Sequence, residues 1–345
     1  MSINFNKNNL LFIYSCIFLL IYYKLTGGIN MSFVILLIGF FFLIKGADLF
    51  VEGASSIARK FNVPSMVIGL TVVAMGTSAP EAAVSITSSL AGQNDMSVAN
   101  VVGSNFFNIL MVLGVSAIIT KLPVERNTIK KDTPFLILIS FLLLLFGLDM
   151  RIGRIEGLIL LAFFIYFLYT TVAGAKKLSS ESVSEAATTV EIDVAPEMPL
   201  SKTILFSIIG IVGIVLGGDM VVDSATDIAT SFGMSANLVG LTIVAVGTSL
   251  PEFVTSVIAV KKGESEIAIG NVIGSNIFNI LLVLGLATTI SPIVISSFAL
   301  IDIAFMVAIT LLLYFFIKKN NSLVKSQGII FIVIYIAYMA YTILR

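Results

Sequence analysis

The chain has no histidine, no tryptophan and one cysteine in 345 residues, and only 12% of its residues are charged. Without histidine, the commonest general base and transition-metal ligand are missing. A serine hydrolase built on a Ser–His pair is therefore excluded. The lone Cys16 has no partner for an internal disulfide and sits in an apolar run, where packing is its ordinary role. With no tryptophan, an interfacial aromatic belt falls to tyrosine. The charges cancel to a formal net of zero, which disfavours nucleic acid as a partner. What remains is apolar. Hydrophobic residues make up 58% and mean hydropathy is +1.07, whereas soluble domains are about 45–50% apolar and about 25% charged. This is the composition of an all-α, polytopic membrane protein.

Apolar runs fall at roughly 9–23, 32–51, 64–91, 98–119, 133–149, 155–174, 203–222, 235–260, 267–290, 298–317 and 327–344. A span takes about 20 residues. Lipid admits no unpaired backbone, so each run is expected to be helical. The first run, flanked by Lys7 and Lys24, reads as an extra N-terminal helix in segment 1–30, with a signal peptide or signal-anchor as the other reading.

The rest of the chain is written twice. GTSAPE at 76–81 returns as GTSLPE at 247–252, and NVVGSNFFNIL at 100–110 returns as NVIGSNIFNIL at 271–281, both 171 residues later. Asp48 and Glu52 fall on Asp219 and Asp223 at the same offset. Residues 31–174 map onto 202–345, with five apolar runs in each copy. Five is odd, so the second copy is expected to enter from the opposite face, as in the inverted repeats of secondary transporters. Residues 175–201 between the copies are rich in Ser, Thr, Glu and Val and read as a flexible linker. If that linker is cytoplasmic, 14 of the 20 basic residues lie in cytoplasmic loops, a strong positive-inside bias. The expected location is the plasma membrane, with several spans.

Each copy plants a glutamate, Glu81 or Glu252, inside a spanning run, where a carboxylate is costly and calls for a partner. Ser78–Glu81 and Ser249–Glu252 have the S-x-x-E spacing of a capping box, and Pro80 and Pro251 suit a first helical turn. The phrases thus predict a helix break and restart, and restarting a helix is the bland alternative to an ion site. In mid-membrane such a break frees backbone groups, tolerated only in protein or beside a cavity. Two carboxylates, with carbonyls at the break such as those of Thr77 and Thr248, form a hard oxygen set suited to Ca2+ or to several Na+. Ser104 and Asn108, and again Ser275 and Asn279, are four apart and share a helix face, so they can add neutral oxygens or tie helices together. Gly103 and Gly274 predict close helix approach. Asn105, Asn276, Asn100 and Asn271 read as interhelical glue. Asp48, Glu52, Asp219 and Asp223 could conduct cations inward, pair with Lys45 or cap loops.

These phrases resemble the sodium/calcium exchanger family of the cation/Ca2+ antiporter superfamily, in its prokaryotic form. GTSAPE and GTSLPE look like its two alpha-repeat signatures, each followed by a G-S-N-x-F-N segment, and the likeness covers 31–345. The resemblance implies ten core helices, with the second, third, seventh and eighth around the ions. It implies that Glu81 and Glu252 are shared by Ca2+ and Na+, and that Thr77 and Thr248 bind through carbonyls. Ser78, Ser104, Ser249 and Ser275 would lie nearer Na+, and Ala74 and Ala245 would offer carbonyls to outlying Na+ sites. Alternating access would come from sliding of the first and sixth helices. Asn279 stands where some members, including potassium-dependent ones, carry Asp, which points away from K+ co-transport. The expected function is Na+-driven Ca2+ antiport, with no enzymatic activity, no cofactor and no obligatory protein partner. Proton-coupled Ca2+ antiport and a passive cation channel are the alternatives. An intramembrane aspartyl protease, suggested by LGGD at 216–219, lacks a second matching motif.

Overall fold

The computed structural model describes residues 29–90, 94–185, 198–233 and 245–344. The extra N-terminal helix read from the sequence and residues 186–197 of the linker lie outside these residues.

The first half contains α1 (Ile29–Lys60), α2 (Ser65–Thr77), α3 (Ala79–Leu90), α4 (Ser97–Ile119), α5 (Thr133–Gly147) and α6 (Arg154–Glu185). The second contains α7 (Leu200–Ser231), α8 (Leu250–Lys261), α9 (Ser265–Ile290), α10 (Ser297–Asn320) and α11 (Lys325–Leu344). Seven of these helices are long and apolar enough to cross a bilayer, or eight if the bent pair α2–α3 counts as one span. The chain is a multi-pass membrane protein. Helix α6 runs eleven residues into the stretch read as linker, as far as Glu185, and α7 starts at Leu200.

Burial sorts the helices into a centre and a shell. The most apolar window of α9 is 94% buried and that of α4 72%, whereas α6 and α11 keep most of theirs outward. An apolar outer surface is what lipid requires.

Glycine-lined crossings bring backbones nearly into contact. Where α1 meets α7, a Cβ on Gly217 would stand 2.4 Å from Leu43 N, and one on Gly210 would stand 2.6 Å from Phe50 N. Where α2 meets α9, a Cβ on Gly274 would lie 2.5 Å from Leu70 O. Small residues permit such approaches, and dispersion then replaces the missing hydrophobic drive inside lipid. The close approach expected at Gly274 is present; the region that Gly103 would face by the same offset lies outside the described residues.

Four two-residue strands close the helix ends. Antiparallel β1 (Leu122–Pro123) pairs with β4 (Ser322–Leu323), and β2 (Arg151–Ile152) with β3 (Ile293–Val294). Adding 171 carries β1 onto β3 and β2 onto β4, so the two ladders exchange, as a two-fold axis would require.

The sequence leaves three readings open for Asp48 and Glu52. Asp48 and Glu52 do not turn to Lys45. Lys262 Nζ, just past α8, sits 2.8 Å from Asp48 Oδ1 and 3.8 Å from Glu52 Oε2, and Arg59 reaches Glu264 at 3.4 Å. The partner lies more than 200 residues away, beyond any local spacing rule.

Candidate ion-binding site

Helix α2 ends at Ser78 (φ −85°, ψ 7°), and α3 leaves at an angle of 48°. Ser249 (φ −92°, ψ 4°) occupies the same place before α8. Pro80 and Pro251 sit in the first turns, where the missing N–H removes no bond. This puts Glu81 and Glu252 in the first turns of α3 and α8, where helix dipoles favour negative charge. Both are completely buried.

The S-x-x-E spacing predicts local capping, and the structure corrects this. The Ser249 side chain makes no capping bond. Instead the hydroxyls cross between halves. Ser78 Oγ donates to Glu252 Oε1 at 2.8 Å, and Ser249 Oγ donates to Glu81 Oε1 at 3.2 Å. An N-cap residue is normally extended. Ser78 and Ser249 are nearly helical, so the side chain does not fold back on its own helix.

The second phrase supplies the facing groups from α4 and α9. Ser104 Oγ lies 3.3 Å from Glu81 Oε1, and Ser275 Oγ lies 3.3 Å from Glu252 Oε1. Ser249 Oγ is also 2.9 Å from Ser104 Oγ. Asn100 donates to the Glu81 carbonyl (3.2 Å), and its Oδ1 accepts from Thr248 (3.4 Å). Asn271 does the same with the Glu252 carbonyl (3.4 Å) and Thr77 (3.0 Å). Each thus braces a helix break in its own half against the threonine of the other. Ala74 is buried, and its carbonyl accepts from the Ser78 amide at 3.0 Å. Ala245 is the first residue of the short helical turn Ala245–Gly247 before the second break.

Among the described residues, four buried side-chain oxygens other than hydroxyls have no hydrogen-bond partner: Glu81 Oε2, Glu252 Oε2, Asn108 Oδ1 and Asn279 Oδ1. Each half contributes one carboxylate and one amide. An orphaned buried oxygen costs about 1–3 kcal/mol, more when charged, and demands an explanation. Two carboxylate and two amide oxygens, with no nitrogen or sulfur ligand, are the donor set of a hard cation. The wider π-helical turns Phe107–Val112 and Asn279–Val283 lie in α4 and α9 beside these amides, and such turns cluster at functional sites.

Spanning helices broken around buried carboxylates define a class, the ion-transporting helical membrane proteins. Comparison with known proteins narrows it. The profile described as "Sodium/calcium exchanger protein" matches twice, at residues 31–173 and 202–344, and the chain belongs to that family. It is 41% identical over 309 residues to the putative antiporter CaxA of Alkalimonas amylolytica, covering 88% of this chain and 96% of that protein. It is 32% identical over 343 residues to the sodium/calcium exchanger MaX1 of Methanosarcina acetivorans, covering 90% and 98%. The fold is similar to the sodium-calcium exchanger NCX_Mj soaked with 2.5 mM Na+ and 0.1 mM Ca2+, with a TM-score of 0.78, 34% identity, and coverage of 90% and 98%. Family and fold support cation/Ca2+ exchange.

Proposed function

We propose that the chain is a secondary antiporter that exchanges Na+ for Ca2+ by alternating access at a mid-membrane site centred on Glu81 and Glu252. The observation that carries this is the set of four buried, unpartnered oxygens, one carboxylate and one amide from each half, on side chains whose hydrogen bonds cross between the halves. One Ca2+ or two Na+ neutralise the two carboxylates. Because the same oxygens serve both, occupancy is mutually exclusive, which is the physical basis of exchange. Ser78, Ser104, Ser249 and Ser275, the Thr77 and Thr248 carbonyls, and the Ala74 and Ala245 carbonyls complete the proposed ligands for Na+ and Ca2+.

The two halves form a five-plus-five inverted repeat in this reading. The exchanged ladders and the paired hydrogen bonds support it. Helices α1 and α7 move together, since their backbones nearly touch at Gly210 and Gly217, and they slide past the remaining helices to open each side in turn. The charge bias favours a cytoplasmic 175–201 segment, and the plasma membrane is the proposed location.

The deciding experiment is uptake of radiolabelled Ca2+ into proteoliposomes under an imposed outward Na+ gradient. Uptake with Na+ and not with a matched H+ gradient supports the proposal. Uptake driven only by H+ replaces Na+ with protons as the coupling ion. Flux with no counter-ion identifies a channel and ends the antiport reading.

A further inference from the structure

We propose that Asn105 and Asn276 are positioning residues that fix the amide orientation of Asn279 and Asn108, so that both present oxygen rather than N–H to the cation. This rests on the ion-site reading above. The two ends of an amide have nearly the same shape, so hydrogen-bond partners alone decide which end points where.

The chain of bonds begins at groups that only accept. Asn105 Nδ2 donates to the Asn276 backbone carbonyl at 3.5 Å and to Met306 Sδ at 3.4 Å. Its amino end is thereby fixed, and its Oδ1 faces the opposite way. That Oδ1 accepts from Asn279 Nδ2 at 3.1 Å, and Asn279 Nδ2 also donates to Ser104 Oγ at 3.1 Å. With its amino group committed, Asn279 leaves Oδ1 unpartnered. The other half repeats the logic. Asn276 Nδ2 donates to the Asn105 carbonyl at 3.4 Å, and its Oδ1 accepts from Asn108 Nδ2 at 3.1 Å. Asn108 Oδ1 is then the end left over.

All four side chains are buried, so bulk water cannot substitute for a lost partner. Each relay is anchored on a main-chain carbonyl of the opposite half. Interhelical glue alone needs only the two amide-to-backbone bonds. It does not need the Asn105 and Asn276 oxygens to meet the amino groups of Asn279 and Asn108. If Asn279 reversed, its N–H groups would face the cation and the ion–dipole term would change sign.

The test is a double-mutant cycle on the full-length protein in proteoliposomes, reading the KM for Ca2+ and the maximal rate of Na+-driven uptake. Asn105→Leu removes both the anchor and the acceptor for Asn279. We expect the KM to rise about tenfold, with the maximal rate changing less. Asn279→Asp places oxygen at both ends of that side chain, so orientation ceases to matter. In the Asn279→Asp background, Asn105→Leu is expected to move the KM by less than about twofold. The symmetric pair, Asn276→Leu with and without Asn108→Asp, runs the cycle independently if Asn105→Leu does not fold. Equal fold-changes with and without the aspartate, in a protein that still exchanges, overturn the positioning role alone. A wild-type protein with no Na+-driven uptake overturns the exchange reading, and this inference with it.

Discussion

Glu252→Gln isolates what one carboxylate contributes. Glu252 Oε1 accepts from Ser78 at 2.8 Å and from Ser275 at 3.3 Å, while Oε2 is buried and unpartnered. Glutamine keeps the shape and one oxygen and removes a unit charge. A bound Ca2+ would sit about 2.4 Å from a ligand oxygen. With an effective dielectric of about 20, a divalent ion and a unit charge at that distance attract by about 14 kcal/mol. Desolvation offsets most of this. If only a fifth survives, about 3 kcal/mol, affinity for Ca2+ still falls more than about a hundredfold. The fold should not suffer. The Glu81 and Glu252 charges repel each other across the site, and burying two like charges is costly. In cation-free buffer the variant should therefore unfold at a temperature no lower than wild type. Calcium at a hundredfold excess over Kd protects a binding protein by about 2.7 kcal/mol, and that protection should vanish. Two assays check this: Na+-driven uptake of radiolabelled Ca2+, and thermal unfolding with and without Ca2+. Near-normal uptake together with an unchanged calcium-dependent shift would falsify the assignment of Glu252. Glu81→Gln should behave alike, since the contacts exchange between halves.

Other perturbations probe separate links. Ser78→Ala removes a 2.8 Å hydrogen bond to a carboxylate donated from the opposite half; bonds to charged groups are worth about 1.5–3 kcal/mol, so half-saturation for Ca2+ should rise roughly tenfold, and an unchanged value would count against the cross-half bond. Gly217→Ala pushes a Cβ to 2.4 Å from Leu43 N; main chain cannot yield, so α1 and α7 must separate at a cost of about 1–3 kcal/mol, visible as a lower melting temperature in detergent. Glu125, in the loop before α5, has its carboxyl pushed up to about 7 by burial first and then by the nearby Glu266. The folded protein thus holds that proton more tightly than the unfolded chain, and stability falls as pH rises from about 4.5 to about 7. Glu125→Gln should stabilise the protein above pH 7, by on the order of 1 kcal/mol given its half exposure, and leave it unchanged below about pH 4.5; equal melting temperatures at alkaline pH would refute this.

Much of the architecture was legible because membrane physics is stringent. Lipid demands long apolar helices, and the runs at 32–51, 98–119, 267–290 and 298–317 lie within α1, α4, α9 and α10. The offset of 171 pointed to Glu81 and Glu252 together, because a charge inside an apolar run has few explanations. Capping logic failed at Ser78 and Ser249 since it weighs neighbours along one helix, and the stronger acceptor was a carboxylate from the other half. The partner of Asp48 was out of reach for the same reason: Lys262 meets it across the fold.

By itself the sequence determined that the chain spans a membrane, that it is doubled, and which side chains are chemically unusual for lipid, because those properties follow from composition, period and repeat offset. Only the tertiary structure decided which oxygen of each side chain is left without a partner. That choice depends on hydrogen bonds between α4 and α9 and between the two helix breaks. Groups 145 to 175 residues apart settle one another's orientation only once folding has removed water as an alternative partner.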